Sequence, residues 1–181
     1  MPDTSPIRRS QVGTFASGST DVRLTDASLF ARVIVRGAPE TNLATQLGAV
    51  SSGSSVLRGT VRIGCVRPNE WLYSGPPDDV AAAVADLDLA GHTAVTDVSH
   101  ARGAIRITGA KASDLLERGC SLDFSSNMFP NNAMATAPIA GVRCDIIRDD
   151  VDGTLSYVMT FDRSYAEYMT DTLAAIQTEF V

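Results

Sequence analysis

The chain has 181 residues, of which 44% are hydrophobic and 20% charged, and its formal net charge is −6. This length suits one sizeable core or two small, tightly coupled halves. The acidic balance argues against nucleic-acid binding, which needs a basic surface. No apolar run approaches the roughly 20 residues of a membrane span, and the N-terminus has no apolar export signal. Three cysteines without a C-x-x-C spacing fit a reducing compartment, so we expect a cytoplasmic protein.

The first 28 residues are rich in Ser, Thr, Gly and Asp and have no sustained hydrophobic periodicity. Such a segment is ordered only where it lies on another surface. We therefore predict a flexible N-terminal arm over residues 1–28, followed by one α+β domain over residues 29–181.

The domain begins with a strand, a short helix, two strands and a second helix. These elements are predicted over residues 32–36, 40–47, 61–65, 70–73 and 76–87. The alternation of Val61, Ile63 and Cys65 is typical of a strand with one buried face. Pro77 suits the first turn of a helix, where the Asp78 carboxylate meets the positive end of the helix dipole.

The same order of elements follows an extended linking strand over residues 93–98. Its members are predicted over residues 104–108, 112–119, 142–146, 155–161 and from 164 onward. Residues 121–138 are predicted to form a long irregular connection. Ser164 and Glu167 have the spacing of a capping box, so Ser164 is the predicted N-cap of the last helix.

This repetition predicts a duplicated unit. Gly37 and Gly109 end the matching first strands, 109 − 37 = 72 residues apart. Two copies are too few for a solenoid. We therefore predict two β-α-β-β-α halves related by pseudo-twofold symmetry, over about residues 29–91 and 92–181.

The two histidines, His92 and His100, have no Cys, Asp or Glu at a spacing that would place two metal ligands together. His100 does follow Asp97 and Ser99, in an Asp-Val-Ser-His sequence. Successive side chains on a strand point to opposite faces, so we predict a local hydrogen-bonded corner rather than a catalytic triad.

The remaining reactive or aromatic candidates favour packing roles. Cys65 and Cys144 occupy matching apolar positions in the two halves, which is typical of core cysteines. Trp71, the sole tryptophan, is predicted to be a core anchor, with a protein interface as the second interpretation. No G-x-G-x-x-G, Walker, G-x-S-x-G or H-E-x-x-H motif occurs, so phosphate or dinucleotide binding has no support.

Several segments together resemble a known family. They include Arg-Pro-Asn-Glu-Trp-Leu at residues 67–72, Asp-Val-Ser-His-Ala-Arg at 97–102, Phe-Pro at 129–130 and Arg-Ser-Tyr-Ala-Glu-Tyr at 163–168. In this order they resemble the gamma subunit of heterotetrameric sarcosine oxidase over roughly residues 30–180. The fold of that family is similar to the folate-binding domain of the glycine-cleavage aminomethyltransferase.

The resemblance implies a non-catalytic subunit that stabilises a larger flavin-dependent oxidase. Such a complex demethylates sarcosine, or a related N-methyl amine, to give glycine, hydrogen peroxide and a one-carbon unit transferable to tetrahydrofolate. The implied partners are the alpha, beta and delta subunits, which hold FAD, FMN, NAD and zinc, with tetrahydrofolate as co-substrate. No catalytic, cofactor or metal residue is implied for this chain. We predict that its partner interface includes Trp71, His100, Arg102 and Phe129.

Two other functions stay open at this point. One is a stand-alone tetrahydrofolate-binding protein related to the aminomethyltransferases. The other is a regulatory domain that binds a small molecule in a closed pocket.

Overall fold

The computed structural model describes residues 10, 17–18, 21–39, 41–47 and 50–180. The strands of this part are β1 (Ser17–Gly18), β2 (Arg23–Asp26), β3 (Ala31–Gly37), β4 (Ser55–Arg58), β5 (Val61–Arg67), β6 (Glu70–Gly75), β7 (Thr93–Asp97), β8 (Arg102–Thr108), β9 (Met134–Ile139), β10 (Val142–Arg148) and β11 (Ser156–Asp162). The helices are α1 (Leu43–Gln46), α2 (Pro77–Ala85), α3 (Ala112–Gly119) and α4 (Ala166–Gln177). None of the described helices is long and apolar enough to cross a membrane.

The strands form two antiparallel sheets. The five-stranded sheet has the order β4-β5-β6-β3-β7, and the six-stranded sheet has the order β1-β2-β8-β11-β10-β9. If β8 to β11 are matched with β3 to β6, the two strand orders agree, and β2 takes the place of β7. The α+β fold is therefore confirmed, and the elements do repeat, but each half has one strand more than the predicted β-α-β-β-α order, namely β4 and β9. The pseudo-twofold symmetry stays a prediction.

The strands near the two predicted boundaries, β2 and β7, pair with strands that the sequence did not predict as their neighbours. β2 pairs with β8, Leu24 lying opposite Ile107, and both Val22 and Leu24 are fully buried. Residues 23–26, inside the predicted arm, therefore form a strand of the six-stranded sheet. Most of residues 1–20 lies outside the described residues, and the domain bounds stay a prediction. β7 pairs with β3, so the linking strand belongs to the sheet of the first half. Neither pairing is local, and the sequence of a short strand does not identify its neighbour.

Helices cover the outer face of each sheet and enclose two separate cores. In the six-stranded sheet, Ile105 and Met159 pack with Leu115 of α3 and Leu173 of α4. In the five-stranded sheet the core contains the following residues of β3, β5, β6, α1 and α2: Val35, Ile63, Trp71, Leu43 and Val80. The apolar positions that alternate in the sequence are therefore those that face the helices.

The inner faces of the sheets lie against each other. The chain around the start of β4 is joined to the chain around the start of β9 by two backbone hydrogen bonds, Ser55 N to Asn132 O at 2.7 Å and Met134 N to Gly53 O at 2.9 Å. Nearby, Gly64 of β5 leaves room for the Met134 side chain. The architecture is thus helices, sheet, sheet, helices.

Three local predictions need correction. β9 lies inside the stretch predicted to be irregular; it is an edge strand, where Pro138 is tolerated. α4 begins at Ala166 after a short 3₁₀ turn, and the carboxylate of Asp162 caps that turn by accepting from Ser164 N at 2.9 Å. The predicted capping box at Ser164 is therefore wrong. α1 is shorter than predicted, and Glu40 lies outside the described residues.

Candidate functional site

Charged side chains lie between the two sheets, next to apolar residues such as Leu72 and Ile147. Asp149, directly after β10, accepts hydrogen bonds from Arg62 of β5 and from Arg106 of β8, the latter at 2.6 Å. Arg106 also donates to Ser156 Oγ at 2.8 Å. All three ionised side chains are mostly buried. This arginine–carboxylate group links one sheet to the other.

A small cavity lies beside this ion pair. Its volume is about 240 Å³, and the apolar part of its wall comes from five residues: Phe30, Leu57, Leu72, Ile147 and Val158. Sites for drug-sized ligands are usually larger, at roughly 300–1,000 Å³. The cavity can therefore hold a small apolar group, with Arg62 and Arg106 able to orient a polar end.

A larger opening between the sheets is lined by arginines. We call it the arginine cleft and define it by Arg36, Arg67, Arg102 and Arg143. Arg36 and Arg67 come from the five-stranded sheet, and Arg102 and Arg143 from the six-stranded sheet. The cleft has a volume of about 640 Å³, and a narrower recess of about 60 Å³ continues inward toward Glu70.

The carboxylates in the cleft do not pair with all of the N–H donors of its four arginines. Glu70 accepts from Arg36 Nε at 2.6 Å and from Arg67 Nη1 at 3.3 Å. Arg102 Nη1 lies 4.0 Å from Asp145, and no ion pair joins Arg143 to any described residue. Each guanidinium group carries five N–H donors in a planar fork that matches a carboxylate. The cleft can therefore accept an anionic group from outside.

The Asp-Val-Ser-His segment forms the predicted corner. Ser99 donates to Asp97 Oδ1 from its backbone nitrogen at 2.8 Å and from its hydroxyl at 2.5 Å. The same hydroxyl accepts from Arg32 N at 2.9 Å. The Ser99 hydroxyl thus connects the end of β7 to β3, and the prediction of a hydrogen-bonded corner is confirmed.

Comparison with known proteins decides the family. The sarcosine oxidase gamma subunit family matches residues 23–179. The chain belongs to this family. No curated protein matches this gamma-subunit family chain.

Two solved structures share the fold of the gamma-subunit family chain. One is the heterotetrameric sarcosine oxidase from Corynebacterium sp. U-96 in complex with pyrrole 2-carboxylate, with a TM-score of 0.77, 19% identity and 96% of both chains covered. The other is the glycine cleavage system aminomethyltransferase T from Bartonella henselae, with a TM-score of 0.65 and 14% identity, where the match covers 85% of this chain and 45% of that chain. The similarity predicted from the sequence motifs is confirmed for both.

The cysteines of this gamma-subunit family chain have the predicted packing role. Cys65 and Cys144 are both buried, at 3% and 0% exposure. Burial raises the pKa of the Cys144 thiol to about 12 and raises that of Cys65 as well. A thiol with a raised pKa is a poor nucleophile. Within the described residues, no group of three His, Cys, Asp or Glu side chains could hold a metal ion.

The four residues predicted at the partner interface are not brought together. Trp71 is 4% exposed and donates from Nε1 to Val50 O at 3.1 Å, so it is the core anchor of the five-stranded sheet. Phe129 is 6% exposed and packs in the other core, with its ring centroid 5.3 Å from that of Phe124. His100 is exposed, and Arg102 lies in the arginine cleft. Of this set, only the side chains of His100 and Arg102 are exposed or partly exposed, and the partner interface stays a prediction.

The other residues of the cleft were missed by the sequence reasoning. Arg36 alternates with apolar residues of β3, which signals a mixed face, but the sequence does not show what that face meets. Arg67 and Arg143 are separated from it by long stretches of chain. Strand pairing places Arg36 and Arg67 on either side of Glu70, and the packing of one sheet on the other adds Arg102 and Arg143.

Proposed function

We propose that this chain is the non-catalytic gamma subunit of a heterotetrameric, flavin-dependent oxidase that demethylates sarcosine or a related N-methyl amine. The observation that carries the proposal is the family match over residues 23–179. The fold shared with a chain of a heterotetrameric sarcosine oxidase over 96% of both chains supports it.

The roles of the polar side chains are consistent with a subunit that stabilises an assembly. The Ser99 hydroxyl is engaged by Asp97 and by the backbone of Arg32. Asp149 is engaged by two arginines. These groups hold strands and sheets in place, so a function in assembly needs no further chemistry from them.

The proposed partners are the alpha, beta and delta subunits. In the proposed complex these chains hold FAD, FMN, NAD and zinc, and tetrahydrofolate is the co-substrate that takes the one-carbon unit. The contribution of this chain is a surface, which includes His100 and Arg102. We place the complex in the cytoplasm.

Co-expression with the three companion chains tests this proposal. With an affinity tag on this chain, we expect the flavin-containing subunits to co-purify and the complex to form hydrogen peroxide from sarcosine. Without this chain, we expect the companion subunits to lose activity faster on incubation. Full assembly and undiminished stability without it would contradict the proposal, as would oxidation of sarcosine by this chain alone.

A stand-alone tetrahydrofolate-binding function is the second candidate. Its support is the fold shared with the aminomethyltransferase. Titration of the isolated chain with tetrahydrofolate separates the two functions. Binding at micromolar concentration would favour the second, and no binding alongside a stable flavoprotein complex would favour the first.

A further inference from the structure

We propose that the arginine cleft docks an acidic segment of a companion subunit. This inference rests on the proposed function, because it names the chemistry of one contact within that assembly. Its occupant is a stretch of protein chain that carries several carboxylates.

The distribution of charge is the first argument. The chain has 21 acidic and 15 basic residues, yet the side chains of four arginines meet at one opening. They come from strands of both sheets, so the positive potential is concentrated where the sheets part. Clefts lined by one sign of charge focus the field and attract the opposite charge.

The internal carboxylates are already committed. Glu70 is shared by Arg36 and Arg67. Asp145 also accepts from Thr136 Oγ1 at 2.6 Å, and Asp162, at the rim, accepts from the backbone and hydroxyl of Ser164.

Free donor capacity therefore remains in the cleft. Arg36 and Arg67 each use one nitrogen on Glu70, and their side chains are 50% and 48% exposed, so their other N–H groups can bind a ligand while Glu70 stays paired. Arg143 is exposed and has no ion pair with a described residue.

The walls of the cleft favour a peptide over a small anion. Ile34, Val98 and Val142 line it between the arginines, and Tyr165 stands at the rim with 48% exposure. Arginine and tyrosine are enriched in protein interfaces, where each combines apolar area with hydrogen-bond donors. A volume of about 640 Å³ also exceeds what a single small anion fills.

Other macromolecular occupants fit less well. The net charge of −6 opposes a nucleic acid, whose binding depends on a broad basic surface. A symmetric contact between two copies of this chain would place the same patch of arginines against itself. An acidic segment of a different chain satisfies the charge on both sides.

Charge reversal in the assembled complex tests the proposal. The variant Arg102→Glu/Arg143→Glu is compared with Arg58→Glu/Arg118→Glu, which makes the same change of charge at exposed positions outside the cleft. With the flavin-containing companion chains as the probe, we expect the cleft variant to bind at least about tenfold more weakly, since like charges oppose each other there. The control variant should stay within about twofold, and added salt should weaken wild-type binding.

A crosslink identifies the occupant. With p-benzoylphenylalanine in place of Tyr165, irradiation of the complex should join the cleft to a carboxylate-rich peptide of a companion chain. A crosslink to a second copy of this chain, or to a segment without acidic residues, would overturn the proposal.

The experiments distinguish a failure of the proposed function from a failure of the docking proposal. If the wild-type chain does not assemble with the companion chains, the proposed function fails. If the wild type and the cleft variant assemble equally well, and both keep the wild-type circular dichroism spectrum, only the docking proposal fails.

Discussion

Gly109 lies directly against the backbone carbonyl group of Asp21. A Cβ atom at Gly109 would stand 2.7 Å from the Asp21 carbonyl carbon, and the glycine has a φ of 131°, a conformation that other residues rarely adopt. The Asp21 carbonyl also accepts from Lys111 N at 2.9 Å. This close approach holds the start of β2 beside the end of β8.

The matching glycine of the first half gives a paired prediction. At Gly37 a Cβ would meet the side chains of Thr41 and Leu43, which can move, whereas at Gly109 it meets backbone. We expect Gly109→Ala to lower the free energy of unfolding by at least about 2 kcal/mol and Gly37→Ala by about 1 kcal/mol. Urea denaturation measures both, and equal losses would contradict the assigned role of Gly109.

The ion pairs between the sheets give the second prediction. Asp149→Ala leaves Arg62 and Arg106 mostly buried without their shared carboxylate. We expect a loss of about 2–4 kcal/mol, because an uncompensated buried charge is costly. The exposed Asp171 of α4 provides a control, and Asp171→Ala should change stability by less than about 0.5 kcal/mol. Similar losses in the two variants would show that Asp149 does not join the sheets.

The cap before α4 gives a pH-dependent prediction. Hydrogen bonds from Ser164 lower the pKa of Asp162 below its ordinary value of 3.8. The folded state thus favours the ionised form of Asp162. The carboxylate therefore stabilises the folded state above pH 3.8, and this stabilisation is lost as the pH falls through the lower folded-state pKa. Asp162→Ala should cost about 1 kcal/mol near neutral pH, more than Ser164→Ala, which keeps the backbone donor.

Chemical denaturation at several pH values checks this cap. The difference in free energy of unfolding between the wild type and Asp162→Ala should decrease as the solution becomes strongly acidic. A difference that persists unchanged at low pH would contradict the assignment of the Asp162 carboxylate as the cap. A larger loss of stability in Ser164→Ala would favour the capping box predicted from the sequence.

The three cysteines should differ in reactivity toward a thiol reagent. Cys65 and Cys144 are buried with raised pKa values, whereas Cys120 is partly exposed. In the native protein at mildly alkaline pH we expect one thiol to react, and all three after denaturation. Cys120→Ser should remove the native reaction. Rapid native modification of that variant would mean that one core opens readily.

Patterns of local origin were read correctly from the sequence. The alternation of Val61, Ile63 and Cys65 gave a strand with that face buried, and the proline and acidic residues before Val80 gave the start of α2. The edge strand β9 was not predicted, because its burial alternates weakly and it contains Pro138. The cap was misassigned because Asp162 and Ser164 both suit the position, and only geometry separates them.

The sequence by itself determined most of the repeated elements, because burial with a period of two or of three to four residues is visible in neighbouring positions. Its motifs, such as those at residues 67–72 and 97–102, carried the resemblance to the family. The tertiary structure decided that β2 lies beside β8, that β7 stays with the first sheet, and that arginines as well as apolar residues lie between the sheets. Alternating arginines look the same in a sequence whether they face water or another sheet. The packing of two surfaces distant along the chain brings Arg62 and Arg106 to one carboxylate, and four other arginines to one cleft.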